Sequence, residues 1–565
     1  MKWLDFETSP IENKLRHELE DMLHVPEYVL KAFANRGITS VEKAKEVFEA
    51  DEAQLFSPGL FEEMEKATAR IDEALNKKEK ITIYGDYDVD GVTAIVILYL
   101  FFTEYLGYKN IYYYIPHRQD EGYGLNLPAL EAIKENGTKL IITVDCGINA
   151  IKETNFCKKN GMDIIITDHH VPDAVPQNAY AIINPKLSKN YPDKDLSGVG
   201  VIYKLISSIA EKYKIQLRDN FLDFVALGTV SDIVPLTKEN RILVRRGLKK
   251  IQKTDNIGLQ ALKAVSGLKE KSEISTYHIG FILGPRINAA GRMDRANKAV
   301  ELFISKDPGK SSKIADELNT ANEERKKLMN KTETEALEKL NGKFKPEEDF
   351  VIVLYDENWH AGIVGLVASK IVAKYNRPTF ILTKDEQNMV HGSARSVHSV
   401  NIYESLKHAE SVVERFGGHK LAAGVTLLED RIDRFRQVIN EHLKSTKTIE
   451  QFEPILLIDA QIGNEAITVK DIRTLEKLEP WGEGNPRPLF LVKNVEVVEV
   501  KYFKSNTLKF YCKASERFYN FIMFGYSEQD KEIIRQGRVL DIVFSPSINV
   551  WNDEESVVLE VEDYK

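Results

Sequence analysis

Aspartate recurs at every second position of the segment GDYDVDG, as Asp86, Asp88 and Asp90. Asp145 follows in VDCG, then Asp168, His169 and His170 in TDHH, then Asp232 in VSDIVP. Acids drawn together in this way repel one another, and divalent cations are the simplest resolution. Carboxylate oxygens with imidazole nitrogens suit Mn²⁺ or Mg²⁺. Two such ions sharing carboxylates lower the pKa of a bridging water and offset charge on a phosphoryl group, so the chemistry indicated is metal-assisted phosphoester hydrolysis. Each piece has a plainer reading. DxDxDG also opens calcium loops, but the closing glutamate of an EF-hand loop is missing, and the setting is strand, loop, helix. The DHH triplet could cap the segment after it, with its histidines paired to nearby acids. Structural zinc is not supported, because Cys146, Cys157 and Cys512 form no CxxC pair.

A phosphate substrate needs cationic partners, and four segments offer them. PHRQDEGYG (116–124) carries Arg118 and Tyr123, and GPRINAAGRM (284–293) carries Arg286, Asn288 and Arg292. HGSARS (391–396) carries Ser393 and Arg395, and RFGGHKLAAG (415–424) carries His419 and Lys420. Guanidinium forks bind phosphate oxygens bidentately. Tyr123 and Phe416 could stack bases, although aromatics in such places also serve packing. Other phosphate chemistries fit badly. Before GKS (309–311), Ile304 stands where a Walker A loop needs glycine, and GVGVIY (198–203) breaks the GxGxxG pattern at Tyr203. Gly198–Gly200 instead open the following helix, where a phosphate could approach. A GxSxG nucleophile elbow is absent.

The elements that must hold these residues are legible in the hydrophobic pattern. Short Ile/Val-rich strands are expected at 80–84, 110–116, 139–144, 163–167 and 180–184, with helices between them, including 92–102, 127–136 and 219–230. This alternation argues for an α/β fold with a parallel sheet covered on both faces. Three of the four acid groups then fall just past C-terminal strand ends, where open α/β sheets build active sites. The segment 311–342 is polar, helix-favouring and free of proline, and reads as one helix of about 45–50 Å, a connector between domains or a helix packed along one of them. A second, smaller α/β unit follows, with strands at 349–355 and 378–383 around a helix at 361–375. After about residue 451 the pattern is all strand, which suggests an OB-like barrel among other small β folds. The expected domains are a helical segment 1–45, a catalytic domain 46–310, the connecting helix 311–343, a second α/β domain 344–447 and a β domain 451–565.

Charge and composition narrow the class. The 565 residues hold 77 Lys and Arg against 86 Asp and Glu, a net charge of −9. That excludes a protein that holds nucleic acid by bulk positive charge, but not an enzyme with a local basic groove. No apolar signal region opens the chain, and the longest apolar run, Ala94–Phe102, falls short of the roughly 20 residues a membrane span needs. Few cysteines and no targeting segment point to a cytoplasmic protein without membrane contact.

DYDVDG, DCG, DHH and SDIVP, in that order, resemble the motifs of the DHH phosphoesterase superfamily. AGIVGLVASKIV, GSARS and FGGHKLAAG resemble its companion DHHA1 domain. Together with GPRINAAGRM, WGEGNPRPLF (481–490) and a terminal β domain, the set is similar to the RecJ family of single-stranded-DNA-specific exonucleases. The resemblance runs from about residue 45 to near the C-terminus. It implies two Mn²⁺ or Mg²⁺ ions, one on Asp90, Asp145, His169 and Asp232, the other on Asp88 and the shared Asp145 with Asp86. It implies that Asp168 and His170 support the metal ligands or contact phosphate. It further implies that Arg118, Ser393 and Arg395 hold the 5′-terminal phosphate, and that Arg286, Asn288 and His419 line the path of the strand or the scissile phosphate.

The function expected is 5′→3′ hydrolysis of single-stranded DNA into 5′-mononucleotides, in recombination and repair. A groove between the α/β units too narrow for duplex would select single strands. The resemblance suggests work beside a helicase and a single-strand-binding protein, by a monomer. Two alternatives remain: a phosphodiesterase of short oligonucleotides or cyclic dinucleotides, and a catalytically inactive DNA-binding scaffold. The terminal β domain disfavours the first, since a small substrate needs no long track. The intact set of ligand-type side chains disfavours the second.

Overall fold

The computed structural model describes residues 1–6, 23–49, 51–117, 121–122, 124–217, 219–269, 273–292, 296–385, 387–463, 465–504, 506–514, 516–552 and 554–565. The chain forms two compact units. One comprises Trp3–Gly284, Val300–Ser311 and Leu456–Lys565; the other comprises Met1–Lys2, Pro285–Ala299 and Ser312–Ile455.

The first unit is built on a parallel five-stranded sheet: β1 (Ile81–Gly85), β2 (Ile111–Tyr114), β3 (Leu140–Val144), β4 (Asp163–Thr167) and β5 (Ala181–Ile183). The strand order is β2-β1-β3-β4-β5. The direction of winding therefore reverses between β1 and β3, the place where such sheets leave a crevice at their carboxyl ends. Every residue of β1 and β3 is buried, as a sheet covered on both faces requires. Leu130, Ile133 and Cys157 from the helices Leu127–Glu135 and Ile151–Lys159 pack with Tyr84, Ile141, Ile164 and Ile166. Three further helices carry the site: α1 (Val89–Leu100), α2 (Gly198–Tyr213) and α3 (Leu222–Ser231). Helix α1 starts three residues before the expected 92, because the Asp88 carboxylate accepts the Gly91 amide and caps it. A further helix, α4 (Lys238–Gln252), follows α3.

The long helix is α5 (Pro308–Leu340), with Gly342 just beyond it at φ +69°. From Ser312 onward it belongs to the second unit, where Ala336 and Leu340 pack with Ile352, Val364 and Val367. That unit has a mixed sheet of β6 (Ile352–Tyr355), β7 (Thr379–Lys384), β8 (Val390–Arg395), β9 (Arg415–Gly418) and β10 (Ala422–Leu427), in the order β9-β10-β8-β7-β6. Only β6 and β7 are parallel, joined through α6 (Val364–Tyr375).

The terminal domain has five long strands: β11 (Phe490–Phe503), β12 (Thr507–Ala514), β13 (Arg517–Phe524), β14 (Val539–Trp551) and β15 (Glu554–Tyr564). They run in the order β11-β12-β13-β15-β14, and pairing of β11 with β14 closes the barrel. Two short helices, Val469–Leu475 and Glu528–Ile533, interrupt the strand pattern. Both begin at a capping box, Thr468 with Asp471 and Ser527 with Asp530, which offsets their short length.

The N-terminal residues also differ from the expected run of short helices. Lys2–Asp5 is a strand, and helices occur at Glu27–Ala34 and Val41–Glu49; residues 7–22 lie outside the described residues. Tyr28, Val29 and Phe33 are buried in the core of the terminal barrel with Phe490, Phe510 and Phe544. Tyr28 Oη donates to Asp471 Oδ2 at 3.0 Å. Among the described residues, no helix is long and apolar enough to cross a membrane.

Candidate metal centre

The carboxyl ends of β1, β3 and β4 bring the predicted acids together. Asp86, Asp88 and Asp145 form one group, Asp90, His169 and Asp232 a second, and Asp145, His169 and His170 a third. Within each group the ligand-type atoms lie within 4.8 Å of one another. His169 Nε2 is 3.1 Å from Asp145 Oδ1 and 3.5 Å from Asp232 Oδ2. Asp232 arrives by a different route from the others, as the C-cap of α3.

Small residues permit this crowding. Asp145 itself turns the chain at φ +59°. A Cβ on Gly198 would lie 2.7 Å from Asp145 Oδ1, and one on Gly228 would lie 2.6 Å from Asp90 Oδ1. A Cβ on Gly91 would lie 2.6 Å from the Asp86 carbonyl oxygen. The amides of Gly198 and Val199 donate to Asp90 Oδ2 and Oδ1 at 2.7 and 2.8 Å. The anion received at the start of α2 is therefore this carboxylate, not the phosphate that the glycines suggested.

Electrostatics favour a cationic guest. Burial and the Asp88 charge push Asp90 up to about 7, against the two amides that pull it down. Burial and the surrounding acids raise Asp145 and Asp232 well above the usual carboxylate range. Burial and the charge of His170 bring His169 down to about 3, so its imidazole is neutral, the form that binds metals. His169 Nε2 and Asp232 Oδ2 are buried atoms that make no hydrogen bond. Lone pairs left in that condition, amid mutually repelling acids, fit a divalent cation.

Asp168 acts differently. Its Oδ1 accepts the amides of His169 and His170 at 2.7 and 3.0 Å and pairs with His170 Nδ1 at 2.7 Å. Its Oδ2 accepts the Ile148 amide at 2.9 Å. It thus fixes the turn that presents His169. Burial works against the His170 charge, but the Asp168 hydrogen bond and charge outweigh it and raise that histidine. Two residues that the motif reading passed over complete the turn. Asn184 Nδ2 donates to the His170 carbonyl at 3.0 Å, and Lys186 Nζ donates to the His169 carbonyl at 2.6 Å. Both lie just past the end of β5, so the rule that located the acids applies to them too.

The proposed phosphate partners divide. Arg118 and Tyr123 lie outside the described residues, as does the Arg292 side chain. Ser393 and Arg395 both lie on β8 and meet, Arg395 Nη1 donating to Ser393 Oγ at 2.8 Å. A Cβ on Gly365, in the first turn of α6, would lie 2.9 Å from Ser393 Oγ and 3.0 Å from Arg395 Nη2. A helix N-terminus, a hydroxyl and a guanidinium thus share one place. Arg286 is buried and donates from Nε to Asn319 Oδ1 at 3.0 Å, with Asn288 half-buried beside it on the helix Gly284–Arg292. His419 is exposed, follows Gly418 at φ +142°, and donates its amide to the Ala422 carbonyl at 2.8 Å.

Family models match in three places: the DHH family N-terminal domain over residues 80–229, the DHHA1 domain over 348–445 and the RecJ OB domain over 458–563. The chain is 36% identical over 558 residues to the single-stranded-DNA-specific exonuclease RecJ of Bacillus subtilis (strain 168), spanning 98% of this chain and 70% of that protein. To the protein of that name from Escherichia coli (strain K12) it is 31% identical over 490 residues, spanning 82% of this chain and 83% of that one. Among solved structures, that of RecJ in complex with Mn²⁺ from Thermus thermophilus superposes with a TM-score of 0.84 at 27% identity, covering 100% of this chain and 79% of the other.

Proposed function

The chain belongs to the RecJ family of single-stranded-DNA-specific exonucleases, and from that membership we propose that it shortens single-stranded DNA from the 5′ end, one 5′-mononucleotide at a time. The observation that carries this reading is the meeting of three overlapping acid and histidine groups at one sheet edge. Two divalent cations, Mn²⁺ or Mg²⁺, would supply there an acidified water and neutralisation of the phosphoryl charge. Asp145 groups with Asp86 and Asp88 and also with His169 and His170, while His169 in turn groups with Asp90 and Asp232. Asp145 would be the ligand shared between an ion on Asp86 and Asp88 and an ion on Asp90, His169 and Asp232.

Water adds to phosphorus, the P–O3′ bond breaks, and the departing O3′ takes a proton. The released nucleotide keeps a 3′-hydroxyl, and the shortened strand begins with a new 5′-phosphate. Ser393 and Arg395 would hold that 5′-phosphate and set the register. Arg286, Asn288, His419 and Tyr123 would line the strand's path. On the barrel, Lys509 lies over the Phe503 ring and Lys513 over the Phe518 ring, a pattern suited to stacking bases and screening phosphates. A cytoplasmic monomer working after a helicase and beside a single-strand-binding protein fits this activity, because it needs an exposed strand.

The experiment is Mn²⁺-dependent digestion of single-stranded DNA labelled at one end or the other, with a duplex control. Early release of the 5′ label as mononucleotide, with duplex spared, is the expected result. Early release of the 3′ label would overturn the polarity, and activity confined to dinucleotides would overturn the substrate.

A further inference from the structure

Asp232 leads into a turn, Ile233–Leu236, that begins at φ +61°. Two partners grip this turn. Asn240 on α4 donates from Nδ2 to the Pro235 carbonyl at 3.1 Å and to the Asp195 carbonyl at 2.7 Å. The other partner is the segment Trp481–Asn485, just before β11. The Leu236 amide donates to the Glu483 carbonyl at 2.7 Å. The two glycines let the segment lie flat on the turn. A Cβ on Gly482 would be 2.7 Å from Leu236 Cδ1, and one on Gly484, at φ +70°, would be 3.0 Å from Pro235 Cβ.

The segment is tied by its own hydrogen bonds. Gly482 and Asn485 exchange backbone hydrogen bonds at 3.0 and 3.1 Å, and Asn485 Nδ2 donates to the Leu478 and Pro480 carbonyls, each at 2.9 Å. Arg241, buried on α4 beside Asn240, donates to the carbonyls of Lys477, Leu478, Glu479 and Val47. Thr276 Oγ1 donates to the Trp481 carbonyl at 2.7 Å. None of these groups carries the chemistry; they hold the segment that meets Pro235 and Leu236, three and four residues past Asp232.

We propose that Gly482, Glu483 and Gly484 form a positioning element of the metal centre, acting through Pro235 and Leu236 to place the Asp232 carboxylate opposite His169. The terminal domain then contributes to metal affinity in addition to handling DNA. The inference rests on the reading of Asp232 as a metal ligand. Groups that orient a ligand from outside its shell commonly set metal affinity within 10–100-fold.

The test uses the full chain without DNA and follows free Mn²⁺ by electron paramagnetic resonance in Asp232→Asn, Gly484→Ala and Leu236→Ala. Gly484→Ala presses a methyl group toward Pro235, and Leu236→Ala removes the side chain on which Gly482 rests. Both are expected to weaken one Mn²⁺ site about tenfold. Saturating Mn²⁺ should restore kcat, with the KM for an oligonucleotide unchanged. Wild-type Mn²⁺ binding in Leu236→Ala would overturn the proposal even if Gly484→Ala fails to fold. A raised KM with unaltered Mn²⁺ binding would overturn it in favour of a pure DNA contact. If Asp232→Asn itself binds Mn²⁺ as the wild type does, the metal-ligand reading fails first, and the proposal with it.

Discussion

Gly198 has no room for a side chain because Asp145 fills the space: a methyl group there would lie 2.7 Å from Oδ1 and 2.9 Å from Cβ and Cγ of the aspartate. Gly198→Ala is therefore expected to displace Asp145, a member of two of the ligand groups, while leaving every ligand present. A misplacement of about 1 Å at a reacting centre costs on the order of 100-fold in rate. Comparing kcat at saturating Mn²⁺ with the wild type checks this; a change under threefold would mean that the Asp145 position is not critical.

Metal removal should reverse the effect of pH on stability. Burial and like charge raise Asp90 to about 7 and raise Asp145 and Asp232 as well. A raised carboxyl contributes stability that is full below its unfolded value near 4 and is lost as pH climbs through the folded value. In EDTA, the melting temperature of the first unit should fall between pH 5 and pH 7.5. With Mn²⁺ the protons are displaced, so the gain from metal should grow over the same interval. Thermal melts in both series would decide it, and a metal gain that shrinks with pH would contradict the assignment.

Asp168→Asn should act on the turn that presents His169. An amide can accept through only one of its two ends, whereas Asp168 accepts protein hydrogen bonds through both oxygens. A buried partner left unsatisfied costs about 1–3 kcal/mol. Urea unfolding should show a loss of that size, and Mn²⁺ affinity should fall by about 10–100-fold.

Arg395→Gln and Ser393→Ala should separate recognition of the end from chemistry. The wild type is expected to favour 5′-phosphorylated over 5′-hydroxyl single strands. Each variant should raise the KM for the phosphorylated strand and reduce that preference, with Mn²⁺ binding intact. Steady-state kinetics on paired substrates measures this, and an unchanged preference would remove Ser393 and Arg395 from the phosphate site.

Phe33→Ala should destabilise the terminal barrel. Phe33 is fully buried in the barrel core although it lies near the other end of the chain. Truncating a buried phenylalanine costs about 3–5 kcal/mol. Calorimetry should show the barrel's transition moving to lower temperature.

The parts of the site that follow strands were legible because burial on both faces leaves continuous Ile/Val runs, and the residue after such a run is placed by the sheet. Asp86, Asp145 and Asp168 follow directly from that rule. Asp232 does not, since it ends a helix; it was recognisable only as one of an ordered set of motifs. Asn184 and Lys186 obey the strand-end rule but escaped, because an amide and a lone lysine bonded to backbone carbonyls carry no chemical signature. The packing of Gly484 on Pro235 could not be read at all. Nothing in the local pattern of either segment names a partner some 250 residues away. For the same reason, the helix Glu27–Ala34 falls within the segment 1–45 expected to be helical, but nothing in that segment marks it as part of the barrel.

That last arrangement has a consequence for how the molecule is made. Tyr28 and Asp471, joined by a hydrogen bond, are 443 residues apart in sequence. At about 5–20 residues per second, the first emerges from the ribosome on the order of 20–90 s before the second. Through that interval Tyr28, Val29 and Phe33 lack the surface they finally cover. The barrel cannot finish its core until both segments have been synthesised, so a translation product that stops before the barrel strands would leave the apolar face of this helix exposed.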